Sequence, residues 1–207
     1  MKKTISIILL LFLLTSSISL SGAITSNPPQ DPQITDSAGD AFGYIDIDSV
    51  WFYEEEETPE YLYVSMKIND PSETRFQQTF AAFWNYKGIR YSVSLHLAFS
   101  VKEWYKFRVG EHKESDRRAE HFRINGSYDL DTGIITWKIS KDDIGNPNAG
   151  DILTNTWSNA FRRVGILGRM GFTRHFIDTI ILQVLGNSMW DYAPERGQYG
   201  SDYDIRY

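Results

Sequence analysis

The chain has 207 residues, 42% hydrophobic and 14% aromatic, and sets 21 basic against 27 acidic side chains for a formal net charge of −6. This balance excludes bulk attraction to nucleic acid or anionic lipid. With 0 cysteines, disulfides, thiolate chemistry and a lipidated N-terminal cysteine are excluded too, so stability must come from the core, with a bound metal as the remaining staple.

Residues 1–23 read as a secretory signal peptide. Lys2 and Lys3 form the basic start, Ile5–Leu14 the apolar run, and Ser21 and Ala23 a small-x-small cleavage pattern. The run is short for a membrane-spanning helix, which needs about 20 residues; retention as an uncleaved anchor is the alternative. Export puts the protein outside the cell or at its surface. Residues 24–35, "ITSNPPQDPQIT", are rich in proline and aperiodic, and read as a linker. A single domain is expected over 36–207.

Period-two alternation then dominates. In "YIDIDSVWFY" (44–53), Ile45, Ile47, Trp51 and Tyr53 fall on one face, with Asp46 and Asp48 on the other. "EEEETPE" reads as a solvated hairpin turn. "YLYVSMKIN" (61–69) turns Leu62, Val64, Met66 and Ile68 inward. "TFAAFWNY" (79–86) and "IRYSVSLHLAF" (89–99) flank the two-residue turn Lys87-Gly88, the second with an apolar stripe from Ile89 to Phe99 and a polar one of Arg90, Ser92, Ser94 and His96. "EWYKFRVG" (103–110) and "HFRINGSYDL" (121–130) are further strands. "DLDTGIITWKI" is a hairpin that turns Ile135, Trp137 and Ile139 inward, "SKDDIG" (140–145) is one helical turn, and 151–163 is another strand. Short strands at this spacing predict an all-β fold, an antiparallel, jelly-roll-like β-sandwich. A short helical or irregular insertion near 164–185 interrupts it; that apolar stretch covers the core or, alternatively, rests on a membrane surface.

The acidic stretch "DSAGDAFGYIDID" (36–48) has the donor chemistry of a calcium loop. Calcium takes six to eight hard oxygen ligands. Gly39 allows the turn that lets Asp36 and Asp40 converge, and Asp46 and Asp48 project together from the strand that follows. Crowded aspartates repel one another without a cation. The spacing is not that of an EF-hand, and four scattered histidines without cysteine argue against zinc. The alternative is a polar turn whose aspartates cap backbone amides. A final strand "YDIRY" beside the first one would bring Asp191 or Asp202 to this loop.

"DSAGDAFGYIDIDSVWF", "YLYVSMKI", "ITWKISKDDIG" and the C-terminal "DYAPERGQYGSDYDIRY" together resemble a group of secreted, archaeal-type proteins of unassigned function, similar to DOMON-like domains and family-nine carbohydrate-binding modules. The resemblance implies an extracellular, non-catalytic sandwich with a structural calcium, Asp36 and Asp40 matching the motif. Relatives of this kind stack sugars on exposed tryptophans or, among the haem binders, use Met and His; Met66 falls on a core-facing stripe here.

Trp84, Trp104, Trp157 and Trp190 are candidate sugar platforms, since an indole face packs against sugar CH groups, and each is alternatively a core residue. Trp104 alternates with charges, and Trp190 adjoins Tyr192 in the aromatic C-terminal stretch. No nucleophile elbow, His-Glu-x-x-His or cysteine nucleophile occurs. The sequence therefore points to a secreted binding module without catalysis, holding structural Ca2+ through Asp36, Asp40, Asp46, Asp48 and Asp191. Its ligand-binding residues are Trp104, Trp190 and Tyr192, and its partner is a glycan or another cell-envelope component. The alternatives are a structural envelope protein touching the membrane through 164–185, and a glycoside-active enzyme.

Overall fold

Alternating side chains need two faces, one against a core and one outward, and the chain meets that need with two antiparallel sheets packed against each other. The computed structural model describes residues 31–72, 77–97, 106–112, 120–162 and 190–207. The signal region, Trp104 and the 164–185 segment lie outside the described residues. Among those described, no helix is long and apolar enough to cross a membrane.

The first sheet comprises β1 (Ile34–Thr35), β2 (Ile47–Tyr53), β3 (Tyr61–Ile68), β8 (Asn125–Asp129) and β9 (Ile134–Ser140), in the order β1-β2-β3-β9-β8. The second comprises β4 (Gln78–Tyr86), β5 (Ile89–Leu97), β6 (Lys106–His112), β7 (Glu120–Arg123), β10 (Ile152–Arg162) and β11 (Trp190–Ala193), in the order β11-β10-β4-β5-β6-β7, with β12 (Tyr203–Asp204) paired to β10. Leu62, Val64, Met66, Val93, Leu95, Ile135, Trp137 and Ile139 fill the space between them, as their period predicts. Lys87 and Gly88 both take positive φ, 49° and 78°, the geometry a two-residue hairpin turn requires.

Five expectations are corrected. Ile34 and Thr35, assigned to the linker, form β1 opposite Val50 and Ser49, and Ile34 is fully buried. In β2 the register slips between Ile47 and Ser49, a bulge at Asp48. One extra residue reverses the side-chain parity, so Val50 and Phe52 face the core while Trp51 and Tyr53 turn to the other face and pack with Tyr63. "HFRINGSYDL" is two strands in different sheets, and the chain crosses from β7 to β8 at Ile124. The C-terminal strand β12 pairs with β10 at Ile152 and Leu153, not with the first strand. Finally, the acidic "EEEE" is not wholly a solvated turn.

Glu54 has a fully buried side chain, and its Oε1 lies 2.5 Å from Lys141 Nζ. Its other oxygen accepts the Arg206 N–H at 2.6 Å and the Tyr203 hydroxyl at 3.2 Å. Lys141 Nζ also donates to the Tyr207 carbonyl. Lys141 belongs to the 3-10 turn Lys141–Ile144 that follows β9. This buried ion pair thus ties the end of β2 to the C-terminal segment, and burial together with the Glu54 charge holds the Tyr203 phenol neutral far above its ordinary range.

Removing one partner of such a pair strands a charge in the interior. Lys141→Met is expected to cost about 3–5 kcal/mol in urea unfolding at neutral pH, and Glu54→Leu combined with Lys141→Met to recover most of it, because a buried pair and apolar residues of similar volume are often close in stability.

Candidate metal centre

Asp36 follows β1 directly, and its N–H donates to the Asp48 carbonyl at 3.1 Å, closing the base of the acidic loop. Gly39 holds φ at 97°, where an L side chain is strained, and its N–H donates to Asp46 Oδ2 at 2.8 Å. The Phe42 carbonyl accepts from Ile45 at 2.7 Å and Asp46 at 2.9 Å. Gly43 serves close approach: a Cβ there would stand 2.9 Å from the Cβ of Asp70.

Asp191 arrives from the other sheet, on β11 opposite Ala160 of β10. It is 1% exposed. Its Oδ2 accepts the Ile47 N–H of β2 at 2.6 Å, across 144 positions of sequence, and its Oδ1 accepts the Tyr192 N–H at 2.9 Å. One carboxylate oxygen from each of Asp36, Asp40 and Asp191 lies within 4.8 Å of the other two. Asp36 is partly buried and Asp40 exposed, so the group opens outward on the Asp40 side.

The electrostatics show the tension in this arrangement. Burial pushes the Asp191 carboxyl up to about 8; the Ile47 N–H opposes the rise, and Asp36, Asp40 and Asp46 add to it. Burial likewise pushes Asp36 up to about 6, against the Ser37 N–H and with the charges of Asp40 and Glu195. Asp40 is raised by burial and then by Glu195. Asp46 is raised by burial, and Asp40 and Asp48 add to it. Asp36 Oδ2 and Asp46 Oδ1 are buried, and by strict geometry neither has a hydrogen-bond partner among the described residues, although Asp191 and Asn69 lie near enough to lower the two carboxyls somewhat. Carboxylate oxygens gathered in this way are the donor chemistry that hard cations take.

Of the expected ligands, Asp36, Asp40 and Asp191 come together, and Asp46 stands beside them as a buried neighbour. Asp48 turns elsewhere, accepting the Ser49 hydroxyl at 2.8 Å and lying 4.0 Å from Lys67 Nζ. Asp202 is exposed, and it is β11 rather than the last strand that delivers Asp191. Glu195 was not singled out from the sequence, although it lies in the same quoted C-terminal stretch and its charge reaches both Asp36 and Asp40.

The aromatic candidates separate. Trp84 is core, edge-on to Phe52 at 5.6 Å. Trp157 and Trp190 are partly exposed on the second sheet and stack on Phe83 at 3.9 Å and Phe161 at 4.2 Å. Tyr192 is partly exposed, with the Arg196 guanidinium 5.7 Å from its ring centre. Met66 is fully buried, as its core-facing stripe requires.

No protein-family model, no curated protein and no solved structure matches this chain.

The raised carboxyls set a pH dependence with a definite sign. An acid whose folded pKa lies above its ordinary 3.8 stabilises the fold below that value and loses the contribution as pH climbs through the folded pKa. In EDTA, stability is therefore expected to fall between about pH 4 and pH 8, by an amount on the order of several kcal/mol, and Asp191→Asn is expected to flatten the curve. Thermal midpoints across that range check this.

Proposed function

We propose that the protein is a secreted, calcium-stabilised β-sandwich that acts as a non-catalytic binding module at the cell surface, with glycans as its ligand class. The convergence of Asp36 and Asp40 from one loop with buried Asp191 from the opposite sheet carries this reading. A hard-oxygen set of this kind suits Ca2+, with backbone carbonyls and water completing six to eight ligands. Glu195 adds negative charge near Asp36 and Asp40, which would favour a cation there.

The arrangement favours a structural ion over a catalytic one. The oxygens gather about a single point within 4.8 Å, whereas a glycosidase acid and its partner stand roughly 5–9.5 Å apart across a bound sugar. Asp191 also has structural work for both oxygens: one accepts the Ile47 N–H and joins β11 to β2, and the other accepts the N–H of its neighbour Tyr192. An ion held there would fasten the first loop to the second sheet, a direct gain for a chain with 0 cysteines. The glycan ligand class is supported by the partly exposed rings of Trp157, Trp190 and Tyr192 on one face of the second sheet.

Calcium added at 100 times its dissociation constant stabilises a native-only site by about 2.7 kcal/mol, expected here as a rise in midpoint of roughly 5–10 °C. Asp40→Ala, a change at an exposed position, should remove the rise while leaving the ion-free protein folded. An unchanged midpoint with calcium, and no calcium retained through purification, would count against the reading.

A further inference from the structure

A shallow groove of about 270 Å3 lies on the second sheet, lined by Arg90, Trp157, Tyr192, Pro194, Arg196 and Tyr199 among others. Among the described residues, no acidic side chain lines it. That is against the average of a chain with net charge −6. Arg90 reaches it from the start of β5, Trp157 from β10, Tyr192 from β11, and Arg196 and Tyr199 from the segment that follows. Arg90 and Arg196 are exposed, and neither forms an ion pair with another described residue.

The aromatic side chains are placed for contact. Trp157 lies nearly parallel to Phe83, at 6° between planes, which holds the indole in position. Tyr199 is 56% exposed, a high value for so large an apolar ring. Its segment is fixed by a turn in which Gln198 N–H donates to the Glu195 carbonyl at 2.9 Å, and by Gly200 N–H bonded to the Thr156 carbonyl at 2.8 Å.

Two chemistries therefore meet in one groove. Guanidinium groups match a carboxylate through paired, charge-assisted hydrogen bonds, and indole and phenol rings pack against the CH face of a pyranose. A neutral sugar would use the rings and leave both cations unanswered. A small inorganic anion would do the reverse. From this combination, and resting on the binding-module reading above, we infer that the groove is a binding site for acidic saccharides, in which Arg90 and Arg196 take the carboxylate of a uronic acid while Trp157 and Tyr199 pack against its ring.

The test titrates the full chain, in calcium, with tetramers of galacturonic, guluronic and glucuronic acid, the methyl ester of the galacturonate tetramer, and neutral cellotetraose, following heat and tryptophan fluorescence. At least one uronic-acid tetramer is expected to saturate, with esterification of the galacturonate form weakening its binding at least tenfold. Arg196→Gln and Arg90→Gln should each weaken the acidic ligand at least tenfold while thermal unfolding stays unchanged, and Tyr199→Ala should weaken acid and ester alike. Equal affinity for acid and ester, arginine variants that bind as the parent does, or displacement of the tetramer by equimolar inorganic sulfate would each overturn the inference. Saturable binding of cellotetraose alone would overturn it while leaving the glycan-module reading standing; binding of no saccharide at all would overturn both.

Discussion

One buried carboxylate joins the two sheets of this sandwich. Asp191 belongs to β11 in the second sheet, yet it holds the first N–H of β2 in the first. A charge so deeply placed is costly unless something compensates it, and two backbone amides are only part of the compensation. The charges of Asp36, Asp40 and Asp46 add to that cost and favour the protonated carboxyl. The same crowding gathers oxygens of Asp36, Asp40 and Asp191 within 4.8 Å of one another, and the proposed calcium site rests on that convergence.

The other end of β2 is fastened to the same sheet by different means. Glu54, just past the strand, receives the Tyr203 hydroxyl and the Arg206 N–H from the C-terminal segment, whose β12 pairs with β10. Lys141 supplies the opposite charge from the turn after β9. β2 thus meets the second sheet through buried polar contacts at both ends, with the apolar contacts of Val50 and Phe52 between them. Apolar packing is roughly non-directional, whereas these carboxylates hold specific backbone amides, so they help fix how one sheet sits against the other.

Most of the sandwich was legible in the alternation of its side chains. β3, β5 and β9 bury the residues their period predicts, and the Lys87-Gly88 and Gly133 turns fall where the spacing puts them. Legibility failed where a local rule was broken by a nonlocal partner. The bulge at Asp48 reversed the faces of Trp51 and Tyr53, and pairing with Val50 turned a proline-rich lead-in into β1. Glu54 lay hidden in a run of four glutamates because partners distant in sequence, Lys141, Tyr203 and Arg206, distinguish it from its neighbours.

The sequence by itself determined the all-β class, the absence of disulfides and the presence of an acidic loop able to converge, because each rests on composition or on spacing within a few residues. Tertiary structure alone decided that Asp191 completes the cluster while Asp48 leaves it for Lys67, that Glu195 lends its charge, and that Arg90 and Arg196 share one groove with Trp157. Asp191 with Asp36, Glu195 with Asp36, and Arg90 with Arg196 are each more than a hundred positions apart, and such neighbours are set by sheet topology and register, which local periodicity does not encode.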